Sequence, residues 1–193
     1  MEISYGANVA DDGELRLCGD LNGKRAIELG VSSPANAVVM ALQGAKAIAV
    51  DSDPKAITGL RAAAERAEVS VECHEGDLAD LGFATSASVD LVVASHSLSA
   101  TDDIPRLLRQ VHRVLKPGSS FVVATIHPVA VMFEQNRTAN HVYAHGVHSF
   151  GELYMAFERA NFHLDMVAEL NDHRVRDPLC PSVLLVRARK LGV

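Results

Sequence analysis

Apolar residues along the chain alternate between short continuous runs and stripes at helical spacing. RAIELG at 25–30 follows a Gly23-Lys24 turn and reads as a strand. The next segment carries Ala37, Val38, Met40 and Ala41, apolar enough for a mostly buried helix. That helix is expected to begin near Pro34, since proline is favoured in the first helical turn. AIAVD at 47–51 is a second strand, after which Asp53 can cap a helix and Pro54 begin it. Ile57, Leu60, Ala64 and Ala67 then share one face. Val69, Val71 and Cys73 alternate with Ser70, Glu72 and His74, as in a strand with unequal faces. VDLVVA at 89–94 is the unbroken apolar run of a buried parallel strand.

The second half continues the alternation. Ile104, Leu107, Leu108, Val111, Val114 and Leu115 form a helical stripe, which Lys116-Pro117-Gly118 should stop before a strand at 120–126. Ser149 and Glu152 have capping-box spacing, with Leu153, Phe157 and Ala160 on the apolar face that follows and Asn161 ending it. Runs at 162–170 and 182–189 have no helix between them, only a polar loop containing proline, and should pair antiparallel. The whole predicts one α/β domain over residues 1–193, built on a doubly wound sheet. Ligands of such sheets bind beyond the carboxyl ends of the strands. Glu28, Asp51 and Asp77 fall at or just after such ends, the arrangement by which an open parallel sheet holds an adenosine-containing cofactor.

Composition narrows the classes. A chain of 193 residues with 48% hydrophobic and 22% charged residues suits a single globular enzyme domain. A net charge of −6 argues against a polyanion-binding surface, so nucleic acid is not an expected partner. Cys18, Cys73 and Cys180 are few and widely spaced, which points to a reducing compartment, read here as the cytoplasm. The N-terminus is acidic and lacks the apolar core of a signal peptide. No apolar run reaches the roughly 18 residues of a membrane span.

The order of IELG, AVDSDPKAI, GDLADLGF, DLVVASHSL and RQVHRVLKPGSSFVVA, together with the terminal strand pair, resembles the class I S-adenosylmethionine-dependent methyltransferases that act on small molecules. The resemblance covers roughly residues 5 to 190. It implies a Rossmann-like, mostly parallel seven-stranded sheet with a C-terminal antiparallel pair. It implies S-adenosylmethionine as cofactor and S-adenosylhomocysteine as product. Glu28, Gly30 and Val31 would then sit at the methionine end. Asp51 would accept both ribose hydroxyls, with Ser52 beside it. Asp77 would accept from the adenine amino group, with Leu78 in backbone contact and Phe83 as nearby apolar surface. Ala94 and Ser95 would line the floor near the sulfonium. Nicotinamide dinucleotide binding fits less well, because GxGxxG is absent.

One segment departs from the family. Glycines are expected where Ser32 and Pro34 stand, in a pattern close to ExGxGxG. Glycine there allows positive φ and close backbone approach, whereas proline fixes φ and lacks the N–H. Either the turn holds the methionine end in an altered way, with serine hydroxyls replacing lost donors, or the chain is an inactive, cofactor-binding or partner subunit.

Methyl transfer depends mainly on positioning, and a base matters where the acceptor must lose a proton. His127 is the candidate base and His96 the weaker one, each following a strand end. His141, His145 and His148 have helix-face spacing, but Gly146 interrupts it and no carboxylate joins them, so no metal site is expected. Residues 127–148 form the long loop on the acceptor side. Residues 1–24 form an N-terminal lid, with Tyr5 and Tyr143 as aromatics that close the pocket. A small lid makes a homodimer, one protomer covering the other's pocket, the expected assembly.

Overall fold

The computed structural model describes residues 1–101, 103–133 and 137–192. A short helix α1 (Asp12–Leu15) precedes the alternation of β1 (Arg25–Leu29), α2 (Asn36–Leu42), β2 (Lys46–Asp51), α3 (Pro54–Arg66), β3 (Val71–Glu75) and β4 (Val89–Ser95). Then come α4 (Ile104–Val114), β5 (Leu115–Ile126), α5 (Phe150–Arg159), β6 (Phe162–Leu170) and β7 (Val183–Lys190). The seven strands lie in the order β3-β2-β1-β4-β5-β7-β6. All neighbours are parallel except β5–β7 and β7–β6, which are antiparallel.

The caps form as their residue types dictate. Asp53 accepts from the Lys55 N–H at the start of α3, and Ser149 and Glu152 cap α5 reciprocally. Three boundaries differ from expectation. α2 begins at Asn36, with Ala35 as its N-cap, so Pro34 lies before the helix rather than in its first turn. β3 starts two residues later than the alternation from Val69 implies, since Val69 N–H closes the end of α3 on Ala64 O (3.1 Å). Lys116-Pro117-Gly118 does not separate helix from strand: β5 starts directly at Leu115, and the chain bulges before its pairing with β4 resumes at Ser120.

Two apolar layers cover the sheet. α4, α5 and strand residues such as Ile27, Val92, Phe121 and Val186 make one. The other packs α2, α3 and the N-terminal segment against Ala49, Leu91, Val93 and Leu185. The segment holds because Ile3 and Tyr5 are fully buried. Burying a tyrosine requires a partner for its hydroxyl. Tyr5 Oη donates to Asp12 Oδ1 (2.6 Å) and lies 3.4 Å from Cys18 Sγ. Asp12 also accepts the Leu17 N–H (2.6 Å), so the side chain of α1 ties three pieces of the segment together.

Candidate functional site

Parallel register brings the ends of four strands to one line. Leu29 pairs with Val50, Asp51 with Glu75, and Glu28 with Val93, so Gly30, Asp51, Gly76 and Ser95 finish side by side. The Gly30 N–H donates to Val50 O (2.8 Å) and the Gly76 N–H to Asp51 O (2.9 Å), which carries the ladder one residue past each strand. Beyond this edge lie two clefts of about 360 and 410 Å³ that meet at Ser52 and Leu78.

Gly30, Val31, Asp51, Ser52, Leu78 and Ser95 line the first cleft. Gly30 must be glycine here: its φ is +73°, and an added Cβ would lie 2.3 Å from Ser97 Cβ. Ser97 is drawn this close by the hydrogen bond its hydroxyl donates to Leu29 O. Asp51 Oδ2 accepts from Val31 N–H (2.7 Å) and Oδ1 from Asp53 N–H (2.8 Å). A carboxylate has about four acceptor positions, so roughly two remain for a ligand.

Glu28 is placed differently from the expectation. It is fully buried and stands behind the cleft wall. Its Oε1 accepts from Ser32 N–H (2.9 Å), the Ser32 hydroxyl and Asn36 N–H (3.1 Å), and its Oε2 from Ala37 N–H (2.7 Å). Burial pushes this carboxyl up and the four donors pull it back. The carboxylate therefore staples the atypical Val31–Pro34 turn to the start of α2. Serine at position 32 supplies two of those donors, which explains how the turn is held without its missing glycines. Ala94 is likewise fully buried, belongs to the apolar layer and lines neither cleft.

Asp77, Leu78 and Ser52 line the second cleft with Thr101, Asp103 and Arg106. Asp77 Oδ1 accepts from Ala79 N–H (2.9 Å) and Oδ2 from the Arg106 guanidinium (2.6 Å). These donors hold its carboxyl below the ordinary range, the Ala79 amide contributing most. Thr101 Oγ1 is buried beside this cleft without a hydrogen-bond partner among the described residues. Phe83 stacks on His74, with ring centroids 3.8 Å apart, on the wall of a neighbouring cavity that Asp77 also lines.

The two histidines exchange their expected places. His127 is buried; Val129 N–H donates to its Nδ1 (3.2 Å), so the proton is on Nε2, which reaches Glu169 Oε1 (2.9 Å). Both nitrogens are thus engaged, and His127 lines neither cleft. His96 lines the first cleft at a φ of +59°. Its Nε2 lies 2.9 Å from Tyr5 O, a pure acceptor, which assigns the proton to Nε2. Nδ1 has no partner among the described residues. Tyr5 itself does not face the cleft; its neighbours Ser4, Gly6 and Ala7 do. Tyr143 is half-exposed, and its hydroxyl accepts from Phe150 N–H (3.3 Å). His141 and His145 stack at 4.6 Å.

Sheet order and terminal antiparallel pair are those of a class I S-adenosylmethionine-dependent methyltransferase. The chain belongs to the methyltransferase-domain family, whose model matches residues 27–123. An S-adenosylmethionine-dependent methyltransferase from Mesorhizobium loti is similar in structure, with a TM-score of 0.74 and 23% identity over 92% of this chain and 96% of that one. One from Aquifex aeolicus gives 0.73 and 14% over 93% and 89%. Among curated proteins, ubiquinone biosynthesis O-methyltransferases from three strains of Xanthomonas oryzae pv. oryzae are 26% identical over 114 residues, 59% of this chain. The chain spans about half the length of these relatives (48%).

Proposed function

We propose that this protein transfers a methyl group from S-adenosylmethionine to a hydroxyl of a small-molecule acceptor. The observation that carries the reading is Asp51, whose carboxylate faces the cleft with acceptor capacity to spare beside the close-approach glycine Gly30. The clefts suit the cofactor. Asp51 would take the ribose hydroxyls, Ser52 and Leu78 lie at the junction, Asp77 would take the adenine amino group, and the orphaned Thr101 hydroxyl would gain a partner. Gly30, Val31 and Ser95 would flank the methionine end, with Glu28 bracing the turn. When bound, the cofactor supplies an electrophilic methyl group on a good leaving group.

His96, rather than His127, is the residue placed to take the acceptor's proton. The Tyr5 carbonyl fixes its Nε2–H tautomer and leaves the Nδ1 lone pair for the acceptor. His127 would first have to release the Val129 amide. A hydroxyl acceptor is favoured by the similarity to the ubiquinone biosynthesis O-methyltransferases, and by a base within the cleft, since an alcohol or phenol must lose a proton.

The test is calorimetric titration with S-adenosylmethionine and S-adenosylhomocysteine, then a panel of hydroxylated acceptors scored by S-adenosylhomocysteine release. Asp51→Ala should weaken cofactor binding about 100-fold, the loss of two charge-assisted hydrogen bonds. His96→Gln should leave S-adenosylhomocysteine affinity within twofold and lower turnover about 10²-fold or more. Absence of binding to either compound by folded, ligand-free protein would overturn the reading.

A further inference from the structure

We propose that the furrow between α4 and α5 is a second binding site, one that takes a medium-chain aliphatic carboxylate. The furrow encloses about 760 Å³, more than either cofactor cleft and within the range of small-molecule pockets. It exists because α5 and its C-cap residue present Ala156 and Ala160, two small side chains one turn apart, toward α4. Ile104 and Leu153 extend the apolar floor into the core, and Met155, 45% exposed, stands on the wall. α5 has ten residues, so the furrow is about 15 Å long at 1.5 Å per residue, the reach of an extended chain of about ten to twelve carbons.

Its charges are sorted along this length. At the end nearer the start of α5, Glu152 accepts from the Ser149 backbone N–H and hydroxyl (2.8 Å each). These bonds keep its carboxyl below the ordinary range. Arg109, on the opposite wall, and Arg159, in the last turn of α5, make no hydrogen bond or ion pair among the described residues. Arg106, Arg113, Arg174, Arg187 and Arg189 are engaged, whereas Arg16, Arg66 and Arg176 make no side-chain hydrogen bond or ion pair among the described residues either; what distinguishes Arg109 and Arg159 is that both line the one furrow. Arg159 also complements the negative end of its helix, but Arg109 lies mid-helix, where no such role accounts for it. Two free guanidiniums beside an apolar furrow, in a chain of net charge −6, match a carboxylate in charge and in its bidentate geometry. Glu152 repels an anion from the other end and so fixes the orientation: carboxylate toward the arginines, hydrocarbon toward His148 and Gly151.

The experiment titrates full-length protein, labelled with ¹³C-methyl methionine, with decanoate, octanoate and decyltrimethylammonium. Decanoate should bind saturably at one site and shift the Met155 methyl signal, while Met40, fully buried on the opposite sheet face, stays unmoved. Octanoate should bind roughly tenfold more weakly for its two missing methylenes, and the cationic probe should not bind. The pair Arg109→Gln with Arg159→Gln should weaken decanoate at least tenfold. Ala156→Leu, which fills the floor without touching a charge, should do the same, with both variants retaining the parental circular dichroism. Equal binding of cation and anion, a silent Met155, or parental affinity in both variants would overturn the proposal. Sedimentation with phosphatidylglycerol vesicles that free decanoate fails to displace would also overturn it, in favour of a membrane surface.

Discussion

Replacing Glu28 by glutamine keeps the side chain's shape and removes one acceptor oxygen. With the amide oxygen turned to the side that serves Ser32 and Asn36, the new NH₂ group faces the Ala37 N–H, which lies 2.7 Å from Glu28 Oε2 in the parent. Two donors then oppose each other, and the buried Ala37 amide loses its partner at a cost of about 1–3 kcal/mol. The three remaining bonds fall from charge-assisted to neutral, at roughly 0.5–1 kcal/mol each. Glutamine avoids the desolvation that pushes the carboxyl up, which offsets part of this loss. The net destabilisation should be about 2–4 kcal/mol, a large share of the 5–15 kcal/mol typical of a domain. Urea unfolding followed by circular dichroism should show a lower midpoint with an unchanged m-value. Calorimetry should show S-adenosylhomocysteine affinity falling about tenfold or more, because Val31 and Ser32 lose the anchor that sets them in the cleft. A parental midpoint would refute the staple. A lowered midpoint with unchanged affinity would confine Glu28 to stability and detach it from the cleft.

Other perturbations probe other parts of the structure. Gly30→Ala should cost about 2–5 kcal/mol, the sum of a left-handed alanine and the overlap with Ser97, read from thermal unfolding. Arg106→Gln should change stability by less than about 1 kcal/mol, because the Arg106–Asp77 pair is half-exposed. It should also tighten S-adenosylhomocysteine binding roughly threefold by freeing Asp77 Oδ2 for the adenine amino group; weaker binding would show that the guanidinium itself contacts the ligand. For Asp165, burial raises the carboxyl, but hydrogen bonds from Arg187 and Arg189 outweigh it and the net displacement is downward. Its stabilisation is therefore fully present above the ordinary value of 3.8 and is lost as pH falls through the lower folded-state value. Asp165→Asn should cost about 1–2 kcal/mol at pH 7 and flatten the acid limb of urea midpoints measured between pH 7 and pH 3. An unchanged acid limb would remove Asp165 from the account.

What could be read from the chain was local or periodic. The α3 and α5 starts follow from Asp53-Pro54 and Ser149/Glu152, which act within three residues of themselves. The alignment of Gly30, Asp51 and Ser95 follows from in-register parallel strands of apolar composition. Residues that act across the fold were not legible. The choice between His96 and His127 depends on Tyr5, 91 residues from the first, and Glu169, 42 from the second. In sequence the two histidines look alike, each following a strand end. Arg106 meets Asp77 across 29 residues with no spacing that announces it. Glu28 occupies the position expected of a cofactor ligand, and only the convergence of turn and helix amides on its carboxylate shows that it braces the turn. From sequence Tyr5 looks like a lid aromatic, because its buried partners, Asp12 and Cys18, carry no motif.

The position of β7 bears on how the chain reaches this structure. β7 lies between β5 and β6, although β6 is made first. Until β7 arrives, β6 has no neighbour in the sheet, and residues 120–126 of β5 present an open row of amides and carbonyls. Such an edge is a template for pairing with another chain. During synthesis, the interval between emergence of β5 and insertion of β7 is thus the period of greatest exposure to aggregation. Val183, Leu184, Leu185, Val186 and Ala188 are each at most 5% exposed, so this late strand also closes the apolar layers on both faces. Deleting it would leave two raw edges and two open layers, and a fusion that delays its release would lengthen the vulnerable interval.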